Sequence, residues 1–305
     1  MITKQTVLIL GAGASHPYGF PLGRGLFDKV VNDNSSNLLK SMSEAGFEPD
    51  ELDKFRLELR RSLFQSVDAF LESTNGFMDI GKAVMAYFLI KCEREDKLYR
   101  TDNNENWYQY LYRMMHSLEL DEIAKNKISF ITYNYDRSLE YCLLNALKFG
   151  FPNVSIDKAK SIMDHIPIIH VHGELGKLKE QDSSGRNYCP SVSGEEIKIA
   201  MNGIGVISED KDNNTAYLRA HKELKSAENV IFLGFGYHPK NVERLQLASN
   251  LSSGTRVIGT IIGMTKQEID FNITPLFKNI NNNFIPVTQY ETVLDFLRNS
   301  LEYFS

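Results

Sequence analysis

The chain has 305 residues, 42% hydrophobic and 24% charged, ordinary values for a globular protein that can bury its core without metals or disulfides. A formal net charge of −5 argues against phosphate-backbone binding as the main activity, so no direct nucleic-acid binding is expected. Cys92, Cys142 and Cys189 lie far apart with no C-x-x-C pair, which excludes a four-Cys zinc knuckle and a disulfide framework and fits a reducing compartment.

The first apolar run, Val7–Leu10, is too short for a signal peptide, and no run approaches the ~18 apolar residues of a membrane span. The expectation is a soluble cytoplasmic protein with no membrane partner. Thr6–Leu10 has the profile of a buried parallel strand ending at Gly11. From Leu26 to Lys125 the pattern is helical. Leu52, Phe55, Leu59, Leu63, Val67, Phe70 and Leu71 recur at three- and four-residue steps, as do Trp107, Leu111, Met114, Met115 and Leu118, and both stripes read as core. Strands then alternate with helices. Ile128–Thr132 precedes a helix carrying Leu139, Cys142, Leu143, Ala146 and Leu147. Ile166–Val171 precedes a polar stretch, Glu174 to Gly194, expected to be a mobile loop. Asn229–Leu233 leads to a helix over 241–250, Arg256–Ile262 is another strand, and Phe284–Val287 with a helix over 290–301 closes the chain.

This alternation predicts an α/β fold, a Rossmann-like doubly wound parallel sheet with an inserted helical subdomain. The expected organisation is a Rossmann-like domain over residues 1–25 and 126–305, interrupted by a helical module over 26–125. Ligands of such sheets bind outside the carboxyl ends of the strands. Four strand ends carry unusual residues, "GAGAS", "TYNYD", "HVHGE" and "GFGYH", and they are expected to converge.

Gly11-Ala12-Gly13 permits a tight turn that brings backbone N–H groups toward a pyrophosphate. A dinucleotide fingerprint would have a third glycine at position 16. His16 stands there, and Pro17 and Pro21 preclude a long helix, so a short turn and a loop over the ligand are expected. Asn134 and Asp136 alternate with tyrosines and would share one face in extended geometry, although Asp136 could simply cap the next helix. His170 and His172 also share a face. The other histidines form no ligand spacing, so no metal is expected, and His172, before Gly173 at the strand mouth, is the better general-base candidate. Gly234-Phe235-Gly236 repeats the logic of the first turn, and Asn241 is a candidate for ribose or adenine contacts.

Taken together, the residues resemble the sirtuins, the silent-information-regulator family. Its G-A-G-x-S, G-x-P loop, T-x-N-x-D, H-G and G-x-S/G elements occur in order as Gly11–Ser15, Gly19-Phe20-Pro21, Thr132–Asp136, His172-Gly173 and Gly234–Gly236. The chain departs from the family's protein deacylases: it lacks their four-Cys zinc module, the Asp-Phe pair after the loop proline is Leu22-Gly23, and T-Q-N is Thr132-Tyr133-Asn134. These features are similar to bacterial sirtuin-like NAD hydrolases of anti-phage defence. That resemblance implies NAD as substrate, cleavage to nicotinamide and ADP-ribose, and a homo-oligomer or a separately encoded sensor or activator as partner. It implies catalytic roles for Asn134, His172 and Asp136, the last at the position that contacts the nicotinamide carboxamide. Gly11, Ala12, Gly13 and Ser15 would hold the pyrophosphate, Thr132 belongs to the second motif, and Phe20 would cover the nicotinamide. Gly234, Gly236 and Asn241 would lie under the adenosine half. Competing readings are an ADP-ribosyltransferase or residual deacylase, a non-catalytic NAD or ADP-ribose sensor, and an ordinary Rossmann oxidoreductase.

Overall fold

The computed structural model describes residues 1–74, 76–102, 104–205, 215–280 and 284–305. Six parallel strands, β1 (Thr6–Leu10), β2 (Ile128–Thr132), β3 (Ile168–His170), β4 (Asn229–Leu233), β5 (Arg256–Thr260) and β6 (Phe284–Val287), form one sheet in the order β3-β2-β1-β4-β5-β6. This is a Rossmann-like α/β fold. The order reverses between β1 and β4, which opens a crevice at their carboxyl ends.

Both faces of the sheet are covered, which is why its strands read as continuous apolar runs. Leu8 and Leu10 of β1 point into one core with Phe130, Ile231, Leu233 and Ile258. Val7 and Ile9 point into the other with Ile131, Ile169, Val230, Phe232 and Val257. The segment between β1 and β2 is helical as expected, from Gly23–Asn32 to Leu120–Ile123. Its buried side chains, among them Phe55, Phe70, Trp107 and Leu111, belong to the same core as Leu8 and Phe130. The block therefore packs as one layer of the fold. Its central helix, Met78–Ile90, is buried on nearly every side, in keeping with its apolar sequence.

The stretch after β3 is not the mobile loop its polarity suggested. It lacks long regular elements, but Leu175, Leu178, Arg186 and Tyr188 are buried. Arg186 donates to Glu93 (2.9 Å) and Glu196 (2.6 Å), while Arg137 holds Glu93 through two 2.8 Å bonds and donates to the carbonyls of Lys177 (2.9 Å) and Asn187 (3.1 Å). Two arginines around one fully buried carboxylate fasten this segment to the helical block, a long-range pairing that composition does not disclose. The helix expected over 241–250 is two short ones, Pro239–Arg244 and Leu247–Asn250, separated where Gln246 adopts a left-handed conformation (φ 48°). The terminal helix is also shorter, Val293–Arg298.

Candidate active site

The register explains why four motifs meet. Leu10 pairs with both Thr132 and Leu233, and Thr132 pairs with His170, so the ends of β1 to β4 lie on one transverse row. The GAGAS, TYNYD, HVHGE and GFGYH segments all begin from that row, and the expected convergence is what the structure shows.

The first and fourth turns are built against each other. Gly11 N donates to Leu233 O (3.1 Å) and Gly13 N to Gly234 O (2.9 Å). A Cβ on Gly11 would lie 2.6 Å from Gly234 O, and one on Gly234 would lie 2.2 Å from Ala14 N, at a φ of +57°. These glycines allow two backbone turns to touch, and the Gly11 and Gly13 N–H groups are engaged within the protein. Gly236 differs, because a Cβ there would meet nothing within 4 Å. After Gly11 the chain forms a helical turn, Ala12–Ser15, a 3-10 turn, His16–Tyr18, and a left-handed Gly19 (φ 93°) before the helix Gly23–Asn32. The two prolines thus give the short turn and loop anticipated from them. His16 Nδ1 lies 3.1 Å from Phe20 O and fastens that loop.

β2 ends at Thr132, so Asn134 and Asp136 do not alternate along a strand. They converge instead on Ser15. Asn134 Nδ2 donates to Gly11 O (2.9 Å) and Ser15 Oγ (2.9 Å), and since a carbonyl can only accept, the amide orientation is set. Its Oδ1 is then the atom left to meet a ligand. Ser15 in turn bonds Asp136, which also accepts from the Ser138 N–H (3.2 Å) and hydroxyl. Burial holds the Asp136 carboxyl above its ordinary range, opposed by the Ser138 and Ser15 bonds. Asp136 therefore braces the next helix and faces the site at once. Thr132 acts at one remove, accepting the Asn134 N–H at 3.0 Å.

β3 ends at His170, so His172 lies in the turn beyond it instead of on a shared strand face, and the two histidines part company. Burial alone would lower His170, but Glu140, 2.5 Å from its Nε2, and Glu174 outweigh that and set it at about 9. Its Nδ1 lies 2.8 Å from the Asn134 carbonyl, so this charged ring positions the Asn134 segment. Glu140, His170 and Glu174 offer ligand atoms within 4.8 Å of one another, a spacing compatible with a metal ion. Glu140 and Glu174 are also ion-paired, with His170 and Lys177 respectively. His172 is half-buried and lowered to about 4, first by burial and then by nearby Arg244. It packs edge-on to Tyr133 at 5.1 Å, with the Tyr217 hydroxyl 3.4 Å from Nε2. Gly173 follows with φ +76°, where a Cβ would strike Gly203 O at 2.0 Å.

Three cavities run along this edge. One of about 510 Å³ lies beside Ala12, Gly13, Gly234, Gly236 and Thr260, walled outside by Leu22, Ile262 and Met264. A second, of about 270 Å³, holds His172, Asn134 and Asn241. The third, of about 100 Å³, is lined by Ser15, Phe20, Asn134 and Asp136. Ala12 and Gly23 border all three, and Phe235 and Gly236 border the first two. Asn241 shares the His172 chamber and does not line the larger cavity beside Gly234. Ser15 lies in the small cavity with Asp136, away from the large one.

Sequence reasoning missed the contribution of the helical block. Asp68, on the helix Val67–Ser73, accepts from the Tyr135 hydroxyl (2.6 Å) and borders the two smaller cavities, and burial raises its carboxyl. Glu72, one turn on, joins it in the His172 chamber and pairs with Lys240. The local signal was ambiguous, because an acid in the first turn of a helix already serves the helix dipole. Among the described residues no helix is long and apolar enough to cross a membrane.

No family model matches the chain, and no curated protein matches it. Among solved structures, the chain is similar to one described as "The Structural basis of Sirtuin Substrate Affinity", at 15% identity and a TM-score of 0.39, over 97% of this chain and 93% of that one. The fold assignment rests on the strand order and register of the sheet itself.

Proposed function

We propose that this chain is an NAD+ glycohydrolase that cleaves the nicotinamide–ribose bond with water, giving nicotinamide, ADP-ribose and a proton. The observation that carries the reading is the grouping of an uncharged His172, an oriented Asn134 and a small cavity lined by Asp136 at the strand-order reversal, beside a larger cavity that shares Ala12 and Gly23 with them. In this reading the adenosine half fills the larger cavity, the nicotinamide ribose meets His172 and Asn134, and the nicotinamide ring enters beside Phe20 and Asp136.

Cleavage breaks the C1′–N bond, and its electron pair returns to the ring nitrogen, so the leaving group departs neutral and needs no acid. A water oxygen bonds to C1′. Asn134 Oδ1 orients that water or the ribose hydroxyls, and His172 takes the proton, a role typically worth ~10²–10⁴-fold. A cationic imidazolium would repel the nicotinamide cation, whereas the half-buried neutral ring does not. Asp136, Asp68 and Glu72 set carboxyl oxygens around the place where positive charge develops on the ribose. Phe20 and its loop exclude bulk water.

The same reading makes the chain an effector of anti-phage defence that depletes NAD, held in check by self-assembly or by a separate sensor protein. The test is nicotinamide release from NAD, followed by chromatography, for the parent protein, His172→Ala and Asn134→Ala. Release by the parent and none by either variant is expected. Undiminished release by both folded variants would remove His172 and Asn134 from the chemistry. Absence of release from a parent that binds ADP-ribose would favour the sensor reading.

A further inference from the structure

A neutral imidazole carries its proton on one ring nitrogen and offers a lone pair from the other. At His172 that choice decides which atom can take a proton. Among the described residues, the hydrogen-bond partner of its ring is the Tyr217 hydroxyl, 3.4 Å from Nε2. Tyr217 lies on the helix Thr215–Ser226 and is buried. Its hydroxyl also bonds that of Tyr133, which donates to the carbonyl of Asn241 at 2.7 Å.

The far end of this chain fixes the direction of every bond in it. A carbonyl can only accept, so the single hydroxyl proton of Tyr133 is spent on Asn241 O. Tyr133 Oη therefore meets Tyr217 as an acceptor, and the one hydroxyl proton of Tyr217 is spent in turn. Tyr217 Oη has only a lone pair left for His172, so Nε2 must bring the proton and Nδ1 is the bare nitrogen. The anchor is firm, because Asn241 belongs to the helix Pro239–Arg244. Two ring contacts brace the chain from the side. Tyr133 meets the imidazole edge-on at 5.1 Å, and the Arg244 guanidinium lies 5.3 Å from the centre of the Tyr217 ring.

The two histidines thus have opposite partners. His170 faces the Glu140 carboxylate, which favours its cation, whereas a phenol brings His172 no negative charge.

We propose that Tyr217 and Tyr133 are positioning residues that hold His172 as its Nε2–H tautomer, leaving Nδ1 to receive the proton. In the cleavage step the Nδ1–H bond forms as an O–H bond of the attacking water breaks, while Nε2–H stays on Tyr217. No proton leaves along the chain, since the amide carbonyl at its end does not take one, and Nδ1 returns its proton to solvent. The tautomer rests on the hydrogen bonds alone. Its bearing on turnover rests on the proposed cleavage of NAD.

The test is the ring ¹⁵N–¹H correlation spectrum of the full chain, labelled at histidine, at neutral pH. The His172 signals are assigned by their loss in His172→Gln. The parent is expected to show a protonated Nε2 and a bare Nδ1. Tyr133→Phe frees the Tyr217 proton for Nε2, so the tautomer should invert to Nδ1–H. Tyr217→Phe removes the partner and should leave a mixture of both forms. In Tyr133→Phe, kcat for nicotinamide release should fall about tenfold or more while KM stays within about threefold, because a base in the wrong tautomer is lost to the chemistry and not to binding. Nδ1–H in the parent, an unaltered tautomer in Tyr133→Phe, or a single form in Tyr217→Phe would overturn the assignment. An inverted tautomer with unchanged kcat would overturn its bearing on turnover. If the parent releases no nicotinamide, the glycohydrolase reading fails, and the spectra still decide the tautomer.

Discussion

Gly234→Ala and Gly236→Ala should behave oppositely although two residues apart. At Gly234 a methyl group would sit 2.2 Å from Ala14 N and 2.4 Å from Gly13 C, both rigid backbone atoms, at a φ of +57°. Left-handed geometry costs a non-glycine residue about 1–2 kcal/mol, and separating the turns by about an ångström strains the bonds from Gly11 N and Gly13 N. With the repacking this forces, the loss is on the order of 4 kcal/mol. At Gly236 the methyl group meets open space on the border of two cavities, so stability should stay within about 0.5 kcal/mol while ligand affinity falls. Urea unfolding measures the first effect and calorimetric ADP-ribose binding the second. A Gly234→Ala loss below about 1 kcal/mol, or equal losses at both positions, would refute the assignment of one glycine to packing and the other to the ligand.

Turnover should keep its acid limb near pH 4, where His172 gains its proton, instead of near 6.5, and a limb at 6.5 in a pH profile of kcat/KM would show the ring to be solvated. Because His170 is raised from 6.5 to about 9, its contribution to stability is complete below pH 6.5 and is lost as pH rises through 9. His170→Gln should remove up to about 3 kcal/mol at pH 6 and little at pH 10, read by denaturant unfolding at both values. Arg186→Ala leaves Glu93 with one buried partner and should cost about 3–5 kcal/mol, with faster proteolysis inside residues 174–193. Unchanged cleavage there would mean the Arg186 anchor is dispensable.

The elements that were legible from sequence are those whose signal is local. Buried strands announce themselves as apolar runs, so β1, β2 and β4 were bounded to the residue, and Pro17 and Pro21 announced the broken turn. The convergence of four motifs followed from the ligand-binding edge of a parallel sheet. What was hidden is long-range. Nothing near Arg186 in sequence reveals Glu93, and nothing near Asp68 reveals Tyr135. The contact between the two glycine turns was equally hidden, because the spacing that admits a phosphate also admits another backbone. Asn134 and Asp136 were grouped correctly for a mistaken reason, since Ser15 brings them together and strand alternation does not.

Ala12 and Gly23, two of the smallest residues in the protein, border all three strand-end cavities. A bulky side chain at either position would intrude on all three at once without replacing His172, Asn134 or Asp136. The choice between a dinucleotide and its halves would then be a property of those two positions, adjustable independently of the chemistry beyond them.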